Sequence, residues 1–351
     1  MGNTQAIPFS FPGKSSLGNK PITVLAGDVG GTKTNLAMFT ATAAIIDLVR
    51  EATYPSSKYP SCIDILLDFI KVNPGIKPGR ICLGVAGPVL QGKVEITNLG
   101  WDLDSEDIRK STGVTDVVLI NDLEATAYGL AALEEDDFIT IHQGPDRYAG
   151  NIAIIAPGTG LGEAGLFWDG ECYHPFPTEG GHTDFGPRTE QDIELLHYLQ
   201  GKYEIVSWEK VIAGPGIADI YDFLCDVKKR KRAEWLQQKL AEEDPSAVIS
   251  QSALDEKDPV CEETMQLFIR YLARECSNLV LKIKATGGLY LGGGIPPKIS
   301  SLLQQNVFYD NFLDNDRMQH LVKKITVKII LNSKAALLGA GWFGAYGIVN
   351  K

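Results

Sequence analysis

The chain has 351 residues, of which 44% are hydrophobic and 22% are charged, a balance typical of a globular protein of about two domains. Acidic side chains outnumber basic ones by 44 to 33, which gives a formal net charge of −11. A field of that sign repels nucleic acids and anionic membranes, so neither is an expected partner. An anionic ligand would have to be held locally by backbone amides, a lysine or a bound cation.

Neither a membrane segment nor a targeting segment is expected. No apolar run approaches the roughly 18 to 20 residues of a membrane helix, and residues 1–20 lack the apolar stretch of a signal peptide. We expect those residues to form a flexible N-terminal arm. The six cysteines are scattered without a CxxC pair, which predicts reduced thiols in a cytoplasmic protein.

Two similar patterns of strand, glycine-rich turn and strand occur along the chain. The runs ITVLA and NLAMF flank the turn DVGGTK within residues 22–40, and the pattern recurs around PGTGLG within residues 151–168. This repetition predicts two related domains. Strands mixed with helices throughout predict an α/β fold, with a helical stretch over residues 189–285 and a small-residue helix over residues 333–347.

The first glycine-rich turn has the composition of a phosphate-binding turn. Gly30 and Gly31 let backbone N–H groups approach an oxyanion, and Thr32 and Lys33 add further donors. Asp28 is suited to hold Mg²⁺ through a bound water molecule. Taken alone, the same residues equally describe a tight hairpin with a surface lysine.

Two further glycine clusters extend this pattern. Gly158 and Thr159 begin a second cradle of amides and a hydroxyl, at the equivalent point of the second half of the chain. Two such turns favour a polyphosphate ligand. Gly292, Gly293 and Gly294 follow the strand LYL and are expected to precede a helix, a geometry that suits the nucleoside end of a nucleotide or an ordinary turn.

A set of polar residues is suited to bind and activate hydroxyl groups. Asp122 follows the apolar run VVLI at a predicted strand end, where a carboxylate can act as a general base; the alternative is that it caps the next helix. Glu179 and His182 are separated by two glycines, and Glu209 adds another carboxylate. With Asn121 they supply the paired donors and acceptors that several sugar hydroxyls require.

Three other patterns have structural interpretations. Residues 105–113 are predicted to form a short helix with Ser105 as a candidate N-cap. Cys172 and His174 lie near His182 in the sequence, but one cysteine and two histidines are a weak zinc set. The basic run at residues 228–232 is interpreted as a solvated helix face because acidic residues follow it in an acidic chain.

As a set, these residues resemble the bacterial-type glucokinases of the hexokinase, actin and heat-shock-chaperone superfamily. The shared segments, in the family's order, are AGDVGGTKTN, GVAGPV, TNLGWDL, LINDLEATAYG, PGTGLGEAG, TEGGHTDFGP, WEKVIAGPG and LYLGGGIPP. The resemblance implies two α/β domains of the actin-like ATPase (ribonuclease H-like) type around a deep cleft. The smaller domain would hold residues 21–132 and 335–351, and the larger one residues 133–334.

The resemblance also implies an activity and roles for individual residues. The activity would be Mg-ATP-dependent phosphorylation of D-glucose to glucose 6-phosphate, the first step of glycolysis. Asp122 would take the proton from the sugar's 6-hydroxyl, and the other sugar-binding residues would be Asn98, Asn121, Glu179, His182 and Glu209. ATP and Mg²⁺ would be bound by Asp28, Gly30, Gly31, Thr32, Lys33, Gly158, Thr159, Gly292, Gly293 and Gly294.

Two alternatives to a glucokinase remain at this point. One is a kinase of the same fold for another hexose or an N-acetylhexosamine, because pocket shape decides specificity and the sequence does not reveal it. The other is a non-catalytic ATP-binding regulator, against which Asp122 with the pair Glu179 and His182 argues. The chain has no CxC element, which favours glucokinase over the related repressor-type sugar kinases. Whether the protein forms a homodimer is left open, since no segment of the sequence demonstrates an interface.

Overall fold

The computed structural model describes residues 7–17, 20–145 and 149–348 of the chain. The β-strands are β1 (Ile22–Val29), β2 (Lys33–Ala41), β3 (Ile46–Pro55), β4 (Arg80–Val85), β5 (Lys93–Ile96), β6 (Trp101–Asp104), β7 (Asp116–Asn121), β8 (Phe138–His142), β9 (Ile152–Pro157), β10 (Leu161–Trp168), β11 (Tyr173–Thr178), β12 (Gly288–Leu291) and β13 (Val327–Ile330). The α-helices are α1 (Cys62–Val72), α2 (Ser105–Thr112), α3 (Asp122–Gly129), α4 (Glu190–Gln200), α5 (Trp208–Ile212), α6 (Gly214–Asp226), α7 (Glu234–Glu242), α8 (Pro245–Leu254), α9 (Pro259–Ile283), α10 (Ser300–Leu303), α11 (Asn306–Leu313), α12 (Gln319–Val322) and α13 (Ala335–Tyr346).

The chain divides into two compact units. The first unit comprises residues 1–137, 166–177 and 332–351, and the second comprises residues 138–165 and 178–331. The mixed α/β class predicted from the sequence is confirmed. The domain boundaries inferred from the family resemblance, near residues 132 and 335, stay a prediction.

A five-stranded sheet in the order β3-β2-β1-β4-β7 is the framework of the first unit. Strand β1 is antiparallel to β2 and parallel to β4, and β4 is parallel to β7. One face, with Leu25 and Leu36, packs against α1 and α2, and the opposite face, with Val24 and Phe39, packs against α3 and α13. Because helices cover both faces, the interior strand β4 is buried along its whole length.

Helices α3 and α13 approach each other closely because glycines lie where they meet. A Cβ added to Gly339 would lie 1.8 Å from the carbonyl oxygen of Ala125, and one added to Gly129 would lie 2.1 Å from that of Ala335. A larger residue at either position would push the helices apart. The small-residue helix predicted over residues 333–347 is confirmed as α13, and its glycines explain its composition.

A six-stranded sheet in the order β11-β10-β9-β12-β13-β8 is the framework of the second unit. Strand β12 pairs in parallel with β9 and β13, and β8 is an antiparallel edge strand beside β13. The helices predicted over residues 189–285 are confirmed as α4 to α9. The longest of them, α9, buries residues along its length against this sheet and its neighbouring helices. No helix in the described part of the chain combines the length and the apolar character that a membrane crossing requires.

Part of the N-terminal segment is hydrogen-bonded to the first unit. The Tyr173 N–H donates to the Pro8 carbonyl at 2.8 Å, and the Ser10 N–H donates to the Tyr173 carbonyl at 3.0 Å. Further along, the Gly13 N–H donates to the Tyr346 carbonyl at 2.8 Å. These bonds tie the segment to β11 and to the end of α13.

Two phenylalanines of this segment also enter an aromatic cluster. Phe9 stacks on Phe11, with ring centroids 5.8 Å apart, and the neighbouring rings are Tyr128, Trp342 and Tyr346. The expectation of a flexible arm over residues 1–20 is therefore wrong for residues 7–17, because apolar side chains anchor them. Residues 1–6, 18 and 19 lie outside the described residues.

Two local sequence interpretations also need correction. The cap of helix α2 is Asp104, whose carboxylate accepts the Glu106 N–H at 2.8 Å, and Ser105 is the first helical residue. The basic run at residues 228–232 lies in the loop between α6 and α7 and not on a helix. Its arginines pair with carboxylates of Asp222, Asp226 and Glu263.

We expect Phe11→Ala to lower the free energy of unfolding by about 2 kcal/mol, because it removes a half-buried ring from the aromatic cluster. Urea denaturation would measure the loss. Phe167→Ala is the matched control, since the Phe167 side chain is 52% exposed and its loss should cost less than about 0.5 kcal/mol. Equal effects of the two substitutions would contradict an anchored N-terminal segment.

Candidate active site

The predicted site residues fall into two groups, one in each compact unit. In the first unit, the turn between β1 and β2 is closed by the Gly30 N–H, which donates to the Lys33 carbonyl at 3.1 Å. The buried Ser56 hydroxyl donates to the Gly30 carbonyl at 2.8 Å, and the Ser56 N–H donates to the Thr32 carbonyl at 3.1 Å. The Thr32 and Lys33 side chains remain exposed. A turn whose carbonyls are engaged and whose donor side chains face solvent is suited to an anion.

Asn98 lies beside this first turn. A Cβ added to Gly31 would lie 3.6 Å from the Cβ of Asn98 and 3.9 Å from its Nδ2. The Asn98 side chain is exposed. The structure therefore brings together Asn98 and the glycine-rich turn, which are 67 positions apart in the sequence.

Asp28 precedes the turn and is held by a chain of hydrogen bonds across three strands. The Asn35 Nδ2 donates to Asp28 Oδ2 at 3.1 Å, and the Thr53 hydroxyl donates to Asn35 Oδ1 at 2.9 Å. Burial raises the pKa of the Asp28 carboxyl, while the bond from Asn35 and the charge of Lys33 act to lower it. A cation at this carboxylate would further favour its charged form.

The parallel strands bring Asp28 and Asp122 to the same edge of the sheet. In the register, Asp28 pairs with Gly84 of β4, and Val85 pairs with Asn121 of β7. A Cβ added to Gly84 would lie 3.8 Å from the Asp122 Cα. The absence of a side chain at Gly84 lets the first turn of α3 approach the strand, so the two aspartates flank this glycine.

Asn121 is the N-cap of helix α3, and Asp122 is the helix's first residue. The Asn121 Oδ1 accepts the Leu123 N–H at 2.9 Å and the Glu124 N–H at 3.3 Å, while its Nδ2 donates to the Gly87 carbonyl at 3.1 Å. The alternative interpretation of Asp122 as the cap is therefore wrong. Because the Asn121 oxygen accepts two backbone amides, a hydroxyl ligand would be bound through its remaining amide hydrogen.

In the second unit, Glu179 and His182 lie together on an exposed turn, residues 179–182. Their side chains are 54% and 61% exposed, and the Glu179 Oε2 lies 3.8 Å from the His182 Nε2. A Cβ added to Gly181 would lie 2.2 Å from the Leu161 carbonyl oxygen, so only glycine permits this approach. The predicted carboxylate–imidazole pair is thus present and accessible to a ligand.

Glu209 lies at the second glycine-rich turn, which joins β9 to β10. Its Oε2 accepts the Leu161 N–H at 3.1 Å, and a Cβ added to Gly160 would lie 2.8 Å from the same oxygen. Lys210 pairs with the other carboxylate oxygen at 3.7 Å. The Leu161 carbonyl oxygen is also the atom that lies against Gly181. The backbone of Leu161 therefore contacts both Glu209 and the 179–182 turn.

The second turn and the third glycine cluster lie against each other. The Gly292 N–H donates to the Ile155 carbonyl at 2.8 Å, and a Cβ added to Gly158 would lie 3.9 Å from the Gly294 nitrogen. Gly293 has a φ of +78°, and its Cβ would lie 2.5 Å from the Pro157 carbonyl oxygen. The expected helix does not follow directly, because turns separate the cluster from α10.

A cavity of about 860 Å³ opens beside these glycines within the second unit. Gly158, Thr159 and Gly294 line it, together with residues of α6 to α8 and Lys298. The volume is within the range of pockets for small organic ligands. Gly292 and Gly293 are not among its lining residues.

Comparison with known proteins identifies the family. The family model described as glucokinase matches residues 25–346. The chain belongs to the glucokinase family. It is 40% identical over 332 residues to a glucokinase of Nostoc punctiforme, covering 90% of this chain and 97% of the relative.

Solved glucokinase structures are similar to this member of the glucokinase family. The crystal structure of a glucokinase from an Antarctic psychrotroph has a TM-score of 0.77 at 31% identity, covering 91% of this chain and 97% of the other. A glucokinase from Balamuthia mandrillaris in complex with glucose has a TM-score of 0.79 at 22% identity, covering 92% and 94%. The actin-like fold class predicted from the resemblance is confirmed.

Sequence reasoning missed the residues that support the site of this glucokinase-family chain. Asn35 could have been found, because a hairpin centred on the first turn places it opposite Asp28. Ser56 and Ser246 could not, since neither lies in a motif. The Ser246 hydroxyl donates to the Gly214 carbonyl at 2.6 Å, and the Gly214 N–H donates to the Gly158 carbonyl at 2.8 Å.

Asp169, Cys172 and His174 form a polar cluster at the turn between β10 and β11. The Asp169 Oδ2 lies 2.6 Å from the His174 Nε2 and accepts a hydrogen bond from the Cys172 thiol at 3.4 Å. The sequence analysis grouped Cys172 and His174 with His182, whereas in the structure the third member of the cluster is Asp169. The three side chains thus contact one another at hydrogen-bond distances.

We expect Asn121→Ala to lower the free energy of unfolding by about 1–2 kcal/mol, because it removes the cap of α3 and the bond to Gly87. Thermal or urea unfolding would measure the change. Asn98→Ala is the matched control, because the Asn98 side chain is exposed, and it should change stability by less than about 0.5 kcal/mol. An unchanged stability in Asn121→Ala would contradict the capping role.

Proposed function

We propose that this protein phosphorylates glucose at the 6-hydroxyl, with Mg-ATP as the donor and Asp122 as the general base. The supporting observation is that Asp28 and Asp122 flank Gly84 at one sheet edge in a chain of the glucokinase family. One carboxylate is suited to the metal–phosphate end of the donor and the other to the acceptor hydroxyl.

Asp122 removes the acceptor proton in the proposed reaction. As the 6-hydroxyl oxygen forms its bond to the γ-phosphorus, the bond from that phosphorus to the bridging oxygen breaks and ADP leaves, while the hydroxyl proton passes to the Asp122 carboxylate. Two features of the structure orient this carboxylate and suit its negative charge. It accepts the Leu123 N–H at 2.9 Å, and it lies in the first turn of α3, where the helix dipole favours a negative charge.

Asp28 fits the proposed contact with Mg²⁺. It offers a partly buried carboxylate, an oxygen donor of the kind that this cation prefers, and Asn35 fixes its orientation. When bound, Mg²⁺ neutralises negative charge that develops on the donor phosphates. Gly30, Gly31, Thr32 and Lys33 then supply backbone amides, a hydroxyl and an ammonium group to the phosphate oxygens.

Glu179, His182 and Glu209 supply the donors and acceptors for the sugar's other hydroxyls, and Asn98 and Asn121 add amide groups. The exposure of Glu179 and His182 supports this role, since a ligand can reach both side chains without rearrangement. A sugar lacking one of these hydroxyls leaves a polar group unpaired, which is how such a site discriminates between substrates.

Gly158 and Thr159 are the proposed second phosphate contact, and the adenosine occupies the cavity beside Gly294. The cavity's size and the backbone amides at its glycine-lined wall support this assignment. Gly292 and Gly293 shape the wall, because a side chain at Gly293 would collide with the Pro157 carbonyl. In this proposal the protein acts in the cytoplasm on two small-molecule substrates.

A coupled assay of sugar-dependent ADP release tests the function. With Mg-ATP, and with glucose, mannose, fructose and N-acetylglucosamine as acceptors, we expect selective turnover of glucose. Asp122→Asn should retain the fold and glucose binding but lower kcat by about 10²–10⁴-fold, the usual contribution of a positioned base. Asp102→Asn, an exposed carboxylate on β6, is the matched control and should leave kcat unchanged.

Each other outcome corrects a specific part of the proposal. An Asp122→Asn variant within threefold of the wild-type kcat would remove Asp122 from the role of base. Turnover of another sugar in place of glucose would retain the mechanism and change the substrate. A folded, ATP-binding protein that turns over none of the four sugars would overturn the proposed activity.

We expect Glu179→Gln to weaken glucose binding more than ATP binding, because an amide donates a hydrogen bond where the carboxylate accepted one. The KM for glucose should rise by about tenfold or more, the cost of one lost charge-assisted hydrogen bond. The KM for ATP, measured at saturating glucose, is the internal control. Equal increases in both constants would contradict the sugar-site assignment.

A further inference from the structure

Glu163 is a buried carboxyl group that the proposed mechanism does not use. It is the third residue of β10 and is only 1% exposed. Its Oε1 accepts no hydrogen bond from the described residues. A buried carboxyl oxygen without a partner is costly, so the position of this group calls for a physical reason.

The Glu163 carboxyl lies directly beneath the 179–182 turn. A Cβ added to Gly180 would lie 2.0 Å from the Glu163 Oε2 and 2.9 Å from its Cδ, so the carboxyl occupies the space that a side chain at Gly180 would need. Two hydrogen bonds of the Thr178 hydroxyl join the same elements. The Thr178 hydroxyl donates to the Glu163 carbonyl at 3.1 Å and accepts the Gly180 N–H at 3.2 Å. Any movement of this carboxyl is therefore transmitted to the turn.

Besides burial itself, the charge of a second buried carboxyl, Glu275 on α9, raises the pKa of Glu163. Glu275 is fully buried, and its two oxygens accept Lys282 Nζ at 3.0 Å and Asn278 Nδ2 at 2.8 Å. Two carboxyls beside a single ammonium group are balanced in charge when one of them carries a proton.

Of the two carboxyls, Glu163 is the one whose surroundings favour the protonated form. Burial, and then the negative charge of Glu275, raise the pKa of Glu163 to about 8, and Lys282 acts in the opposite direction. Burial also raises the pKa of Glu275, but Asn278 and Lys282 stabilise its charged form. The adjacent Cys276 remains a neutral thiol, because burial raises its pKa well above the ordinary value. These shifts favour the neutral form of Glu163 beside a charged Glu275.

We propose that protonated Glu163 is a positioning residue that supports the 179–182 turn, so that loss of its proton weakens glucose binding. The inference rests on the proposed role of Glu179 and His182 in binding the sugar. Once ionised, Glu163 and Glu275 repel each other in a buried space that holds one ammonium group. The Glu163 side chain moves away from Glu275 to relieve this repulsion, and Gly180 lies against it.

The test is the pH dependence of the kinetic constants between pH 7 and pH 9. For the wild-type enzyme we expect the KM for glucose to rise about tenfold over this range if binding requires the protonated group. The kcat at saturating glucose and the KM for ATP should change by less than about twofold, because the proposal assigns the turn to the sugar and assigns proton transfer and the donor to other residues. A general loss of structure would change all three.

Glu163→Gln tests the residue itself. An amide is neutral at every pH, so the KM for glucose should remain low and become independent of pH. Glu262→Gln, which changes a partly exposed carboxylate of α9, is the matched control and should retain the wild-type profile. An alkaline rise that persists in Glu163→Gln, or a wild-type KM that is flat to pH 9, would overturn the inference.

Lys282→Met provides a second test that does not depend on the folding of Glu163→Gln. The Lys282 side chain is half exposed, and removing its charge should move the inflection in the KM profile to higher pH. An inflection that does not move would show that another group titrates. Turnover of glucose by the wild type at pH 7 is measured first. Absence of turnover would refute the proposed function. Turnover with a KM for glucose that does not change with pH would refute only the role of Glu163.

Discussion

The parallel pairing of β1, β4 and β7 is the constraint on which the first unit's chemistry depends. Parallel strands end at the same edge of a sheet, so whatever follows each strand is brought together there. In this chain Asp28 lies near the end of β1, and Asn121 ends β7. Gly84 on the strand between them is equally necessary, since a side chain there would collide with Ala125 of helix α3. Strand order and one glycine together determine the spacing of two carboxylates.

The glycine-rich turns illustrate how an acidic chain can prepare a place for an anion without a large basic patch. Ser56 holds two carbonyls of the first turn, and Gly214 holds the Gly158 carbonyl of the second. In each case the negative ends of peptide dipoles are engaged by the protein, which reduces repulsion of an approaching phosphate. The net charge of −11 is then compatible with binding ATP, because the local peptide dipoles act at shorter range than the overall field.

Much of the fold and of the site's composition could be predicted, because local patterns carry that information. The β1–β2 hairpin follows from two apolar runs around DVGGTK, and the small-residue helix α13 follows from AALLGAGWFGAY. Residues 7–17 could not be assigned in the same way, since Phe9 and Phe11 are ordered by rings far along the chain. Ser56 and Glu163 were missed for the same reason: each acts through a partner brought near by the tertiary fold.

Asp28 and Glu163 share a raised pKa, yet their surroundings lead to different chemistry. Asp28 is only partly buried and lies beside the exposed Lys33 at an open turn, so a cation can reach it and favour the charged form. Glu163 is enclosed by β10, α9 and the 179–182 turn, so a proton takes the place of a cation. Burial thus makes both carboxyls expensive to ionise, and access decides the outcome. The accessible one is suited to ligand binding, and the enclosed one can act only on the backbone that covers it.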